Sequence, residues 1–164
     1  VGLDKSHIAL RAQLVIPEQR QLFDYWAARA AGRAMPDRKD ISPADFPRLL
    51  PYISLIDVEG EKGPFRIRLA GTRLRDIYDR EITGLCLDEL DWGDKQDYWL
   101  QAYRRIIAQG KPAQGIIKGP RRHKEHLIQY WLRLPLTVGS SGVRMILSYD
   151  AFLPMAAPME AAAG

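Results

Sequence analysis

Residues 65–72, FRIRLAGT, constrain this chain more than any other stretch. Phe65, Ile67 and Leu69 fall on one face at a period of two while Arg66 and Arg68 point the other way, as a half-buried strand requires. Gly71-Thr72 then turns the chain, and Thr72 is placed to cap a short amphipathic helix whose inward stripe is Leu74, Ile77 and Tyr78. Thr83-Gly84 breaks that helix. A strand, a sharp turn and small helices, followed by more antiparallel strands, describe a sheet that cups a pocket.

The flanking sequence fills in the plan. Residues 1–16 carry little pattern and read as an arm. Pro17 opens a helix to about Ala31, with Leu22, Phe23, Trp26, Ala27 and Ala30 on one face and Gly32 at its end. Ser42, Pro43 and Asp45 read as the cap, first-turn proline and N3 carboxylate of a short helix that Pro51 stops. A strand at about 52–58 and a turn at 60–64 lead into the strand at 65–70, forming an antiparallel hairpin. Residues 85–90 suit a single helical turn.

Asp94 and Asp97 then favour a helix start, with Trp99, Ala102, Tyr103, Ile106 and Ile107 as its stripe and Gly110 and Pro112 at its end. Strands follow at about 113–118, 126–137 and 143–150, joined by turns at 119–125 and 139–142. In the middle one, Ile128, Tyr130, Leu132 and Leu134 share a face, with Leu127 and Trp131 opposite. An Ala/Pro-rich tail at 151–164 is expected to fray.

Size and charge exclude several classes. The 164 residues suffice for one domain with terminal extensions, and 46% apolar with 27% charged residues is a globular composition. The net charge of +4 comes from 24 cations against 20 anions interspersed along the chain, which argues for solubility more than for a polyanionic partner. Cys86 is the single cysteine, so no internal disulfide forms and a reducing compartment is expected. No apolar run approaches the ~20 residues of a membrane span, and no signal peptide is visible. A cytoplasmic protein is the expectation. The chain starts at Val1 without an initiator methionine, which leaves its native N-terminus open.

Five strands interrupted after the second by a helical block is the order of the PAS fold. Residues 22–26 (LFDYW), 45–51 (DFPRLLP), 65–72 and Thr83-Gly84 together resemble a family of small stand-alone bacterial PAS-like proteins. The match runs over roughly 18–150. The resemblance implies an α+β fold: a five-stranded antiparallel PAS-like sheet with a helical insert after strand 2 and N-terminal helices. The divisions are an arm at 1–16, a helical extension at 17–51, a PAS-like domain at 52–150 and a tail at 151–164. It implies signal sensing or protein–protein regulation without known catalysis, and no ligand set is carried over.

The residues that suggest chemistry do not assemble into a catalytic site. Cys86 follows Gly84 by two, but the run LCLDEL lacks the polar partners that hold a flavin in flavin-binding PAS relatives, so covalent flavin is not expected. Haem is not expected either, because no histidine lies between His7 and His123 to ligate iron from the long helix. His123 and His126 lack a third metal ligand nearby. Ser140-Ser141 has no strand–serine–helix elbow, and 110–119 lacks the ending of a phosphate loop. Asp88, Glu89, Asp91, Asp94 and Asp97 read as capping and surface charge. Lys118, Arg121, Arg122, His123 and Lys124 form the one local cationic cluster. Lys118, Arg121, Arg122 and Lys124 are its anion-binding candidates, although no nucleic-acid motif accompanies them.

A pocket and an interface remain. Ile56, Phe65, Ile67, Leu69, Tyr78, Tyr103, Tyr130 and Trp131 are pocket-lining candidates, and strand parity leaves open which of Tyr130 and Trp131 faces inward. Leu22, Phe23 and Trp26 are interface candidates: their helix either folds back on its own sheet or packs against a second copy, and self-association is the favoured reading. The functional expectation is a non-enzymatic sensory or regulatory domain that binds a regulatory protein partner, under small-ligand control. The alternatives are a small-molecule carrier or sensor, and weak nucleotide or nucleic-acid binding through 118–124.

Overall fold

The computed structural model describes residues 4–60, 64–139 and 141–156. The expected turns at 60–64 and 139–142, the arm and the tail each extend in part outside these residues. Four helices, α1 (Lys5–Gln13), α2 (Pro17–Ala30), α3 (Thr72–Tyr78) and α4 (Gln96–Gln109), accompany five strands, β1 (Ile53–Val58), β2 (Phe65–Ala70), β3 (Ala113–Lys118), β4 (Leu127–Leu136) and β5 (Met145–Pro154). The strands form one antiparallel sheet in the order β2-β1-β5-β4-β3.

Apolar side chains cover both faces of this sheet. On the outer face, Leu22, Phe23 and Trp26 of α2 pack on Ile53, Leu55, Leu132, Leu134, Leu136 and Leu147. The Trp26 indole donates to the Pro135 carbonyl at 2.8 Å, which fixes α2 across β4. On the inner face, Trp99, Ala102, Tyr103 and Ile106 of α4 pack with Leu74 of α3 against Ile56, Ile67, Trp131 and Ile146. Alternation along β4 sends Leu132 to one layer and Trp131 to the other, as a strand's period of two dictates.

Several expectations need correction. Within the arm expected at 1–16, residues 4–16 carry definite structure: Asp4 caps α1 by accepting from the Ser6 amide, and Leu14 and Ile16 are core. The segment expected as a short helix through Leu50 is instead two 3-10 turns, Pro43–Asp45 and Pro47–Tyr52, and the second contains Pro51. Thr72 caps nothing. Gly71 takes the cap position, where a Cβ would lie 2.3 Å from the Leu50 and Pro51 carbonyl oxygens. That helix ends at Asp79 in the left-handed region rather than at Thr83-Gly84. β5 runs past Asp150 to Pro154, pairing with the start of β4, so the tail begins later than 151.

Leu69 is the main error in the pattern. Leu55 pairs with Leu69 and Ile56 with Ile67, so Arg68 is the extra residue of a β-bulge. A bulge reverses side-chain parity beyond it. Ile67 therefore stays inside, while Leu69 turns to the opposite face and is 47% exposed.

Candidate functional site

The inner face carries polar groups that a simple apolar core does not need. Gln129, Trp131 and Arg133 alternate inward along β4, and Asp150 points inward from β5. Arg133 grips Asp150 with two nitrogens, at 2.9 and 3.1 Å, and Gln129 donates to the same carboxylate at 2.7 Å. The Arg133 Nε donates to the Tyr103 hydroxyl at 2.8 Å. The guanidinium lies 4.9 Å from the Trp99 ring centre and 5.6 Å from that of Trp131, an arrangement in which ring quadrupoles help to hold a buried cation.

This is a fully buried ion pair with most of its hydrogen-bonding capacity used. Burial on its own disfavours the Arg133 cation, but the Asp150 carboxylate outweighs it and keeps the guanidinium charged. Burial likewise raises the Tyr103 phenol and pushes Tyr78 up to about 12, the latter against the hydrogen bond that Tyr78 accepts from Trp92.

Beside the pair lies an internal cavity of about 30 Å³, lined among others by Ser54, Ile56, Ile67, Tyr78, Trp92 and Tyr103. Ligand pockets generally occupy about 300–1,000 Å³, whereas a water molecule needs only some 10–15 Å³ of this measure. As packed, this cavity has room for water but not for a haem or flavin ring.

Of the eight pocket candidates, Ile56, Ile67, Tyr78 and Tyr103 line this cavity. Phe65 and Trp131 belong to the same layer without lining it. Leu69 and Tyr130 face the outer layer, which settles the parity question: Trp131 is inward and Tyr130 outward. Arg133, Asp150 and Gln129 were missed. The signal was available, because Gln129 and Arg133 share parity with Trp131.

The other candidates disperse. Leu22, Phe23 and Trp26 are each 0% exposed against their own sheet, so they are core of this protomer and α2 takes the fold-back alternative. The four anion-binding candidates do not all converge: Arg121 stacks over Tyr78 at 5.0 Å, Lys124 pairs with Asp79 at 3.7 Å, Lys118 and Arg122 are exposed, and Arg121 and Arg122 line one surface cleft. Cys86 is half-buried, and its amide donates to Glu89 at 2.7 Å. His123 and His126 are exposed, and no group of three or more metal-ligating side chains occurs among the described residues. No described helix is long and apolar enough to cross a membrane.

Comparison with known proteins agrees with this architecture. The family described as PAS domain matches residues 15–148. Among solved structures, the Rhodobacter sphaeroides LOV protein is 15% identical, with 71% of this chain and 70% of that chain covered and a TM-score of 0.49. A variant of RsLOV is 19% identical over 71% of this chain and 68% of that one, with a TM-score of 0.50. A fungal LOV domain photoreceptor is 18% identical over 93% of both chains, with a TM-score of 0.48. At 19% identity and a TM-score of 0.50, the RsLOV variant speaks to the fold alone. No curated protein matches the chain.

Proposed function

The chain belongs to the PAS domain family, and on that premise we propose that it is a non-enzymatic regulatory domain that works through protein–protein contact under small-ligand control. The contact surface is the end of the outer sheet face that α2 leaves bare. Cross-strand partners share a face, so Ile116, Tyr130 and Ala151 form the row at the margin of the α2 cover, with Ala151 buried, and Lys118, Ile128 and Leu153 the row beyond it. Ile116 is 53% and Leu153 44% exposed. This apolar exposure beside a well-covered half of the same face is the observation that carries the reading.

The occupant is a second copy of this chain. Lys118 lies at the β3 edge of the patch, and Glu18, near Tyr149, lies on the β5 side. A two-fold axis through the patch brings each cation toward the partner's anion while the apolar rows cover one another, which is the self-complementarity an isologous contact needs. The carrier reading lacks comparable support, because the cavity beside the ion pair, about 30 Å³, has room for only about two waters.

Light scattering tests this. The native chain is expected to run as a dimer at micromolar concentration, and Ile116→Glu with Leu153→Glu as a folded monomer. A monomeric native chain, or a variant of unchanged mass, would exclude the patch as a self-association surface.

A further inference from the structure

We propose that a small monocarboxylate on a planar apolar body binds in the surface cleft between residues 91–95 and 119–125, with Arg121 as the residue that holds it. The cleft has a volume of about 450 Å³, within the range of small-molecule sites. Trp92 lines both this cleft and the internal cavity, and so forms the wall between them.

Arg121 is the unusual group in this cleft. Its guanidinium stacks on Tyr78, and one terminal nitrogen makes a long 3.4 Å bond to the Ile77 carbonyl. Its Nε is buried and has no hydrogen-bond partner among the described residues. A buried donor without an acceptor is costly, and an arginine edge that includes Nε matches the two oxygens of a carboxylate. The Trp92 indole offers an apolar wall against which a planar body can lie.

The rim narrows the ligand class. Asp91, Asp94 and Glu125 line the cleft together with Lys95, Arg121 and Arg122, so its charges balance and do not favour a polyanion such as a nucleotide. With Lys95 paired to Asp94 at 3.7 Å and Arg122 exposed, Arg121 is the cation left to take one carboxylate.

Binding here has a route inward. Arg121 stacks on Tyr78, and Tyr78 accepts the Trp92 indole N–H at 3.2 Å. A carboxylate that draws Arg121 off Tyr78 loosens the partner that fixes Trp92, and through it the wall of the cavity. This deepens, and rests on, the ligand-controlled reading above.

Benzoate is the probe, followed by ¹⁵N NMR of the tryptophan indole N–H groups, with Trp92→Phe assigning the Trp92 signal. Benzoate is expected to shift that signal saturably, while neutral benzamide leaves it in place. Arg121→Gln is expected to weaken benzoate binding about tenfold or more through loss of the charge-assisted pair. Arg121→Lys, which keeps the charge but not the fork, weakens it less and decides the matter if the glutamine variant does not fold. No shift up to about 10 mM benzoate, an equal response to benzamide, or undiminished binding by both variants would overturn the site. Particle mass plays no part in this readout, so a failure of the carboxylate site and a failure of the dimer surface are told apart.

Discussion

The Trp131 indole lies directly across Gly115, its cross-strand partner on β3, so that a Cβ on Gly115 would sit 2.6 Å from the ring. Gly115 is in a strand, where glycine ordinarily weakens the sheet and alanine should help. The ring reverses that sign. Trp131 is held by its bond to the Tyr98 hydroxyl at 2.9 Å and by Trp99 at 5.2 Å between ring centres, so it cannot simply move aside. Gly115→Ala is expected to destabilise the fold by about 1–3 kcal/mol in urea unfolding, the usual range for overpacking.

The bulge at Arg68 sets two leucine-like positions apart. Ile67 is 2% exposed and Leu69 47%, although alternation alone puts both inside. Ile67→Ala is expected to cost about 2–5 kcal/mol as a core truncation. Leu69→Ser should stay within about 0.5 kcal/mol, as surface changes do. Equal costs in urea unfolding would mean that β2 pairs with β1 in unbroken register.

The succession of five strands, the helical insert and the apolar stripe of α4 were legible because each rests on repeated local signals. Trp99, Ala102, Tyr103 and Ile106 fall at helical spacing and are all buried. What escaped depended on contacts distant in sequence. The Arg68 bulge is fixed by pairing with β1, and nothing between 65 and 70 announces it. The α1 helix hides because it buries none of its own residues; it is held by Arg11 to Asp24 and by Gln13 to Gln114. Covering of the outer face by α2 needs the Trp26 bond to Pro135, a partner 109 positions away. Arg133 and Asp150 were overlooked for another reason: charged residues in strands are normally assigned to solvent, and only their mutual grip overrides that rule.

Alkaline pH should expose the buried phenols. Burial pushes Tyr78 up to about 12, and Tyr103 and Tyr149 are also raised by burial. In the unfolded chain these groups ionise near a pKa of about 10. The folded state thus holds protons that the unfolded state has released, and stability falls as pH rises. The contribution is present in full below about pH 10 and is lost as pH climbs toward the folded value. Urea midpoints measured from neutral to strongly alkaline pH should decline through this window, and less steeply in Tyr78→Phe. A slope that the substitution leaves untouched would mean that Tyr78 ionises as freely folded as unfolded.

The Arg133–Asp150 pair gives the sharpest test of what the interior polar group does. Its side chains are 6% and 3% exposed, so removing either partner strands a charge in the core. Arg133→Met alone, or Asp150→Leu alone, is expected to cost about 3–5 kcal/mol, the range for breaking a buried pair. The double substitution removes both charges and leaves apolar groups among Trp99, Trp131 and Tyr103, so it should recover much of that loss. Double-mutant unfolding in urea measures the recovery directly. If the double variant is as unstable as the sum of the singles, the pair is not an isolated ionic unit. The Gln129 amide and the Tyr103 hydroxyl, which each bond to it, then carry the remaining penalty, and Gln129→Leu added to the double variant should relieve part of it.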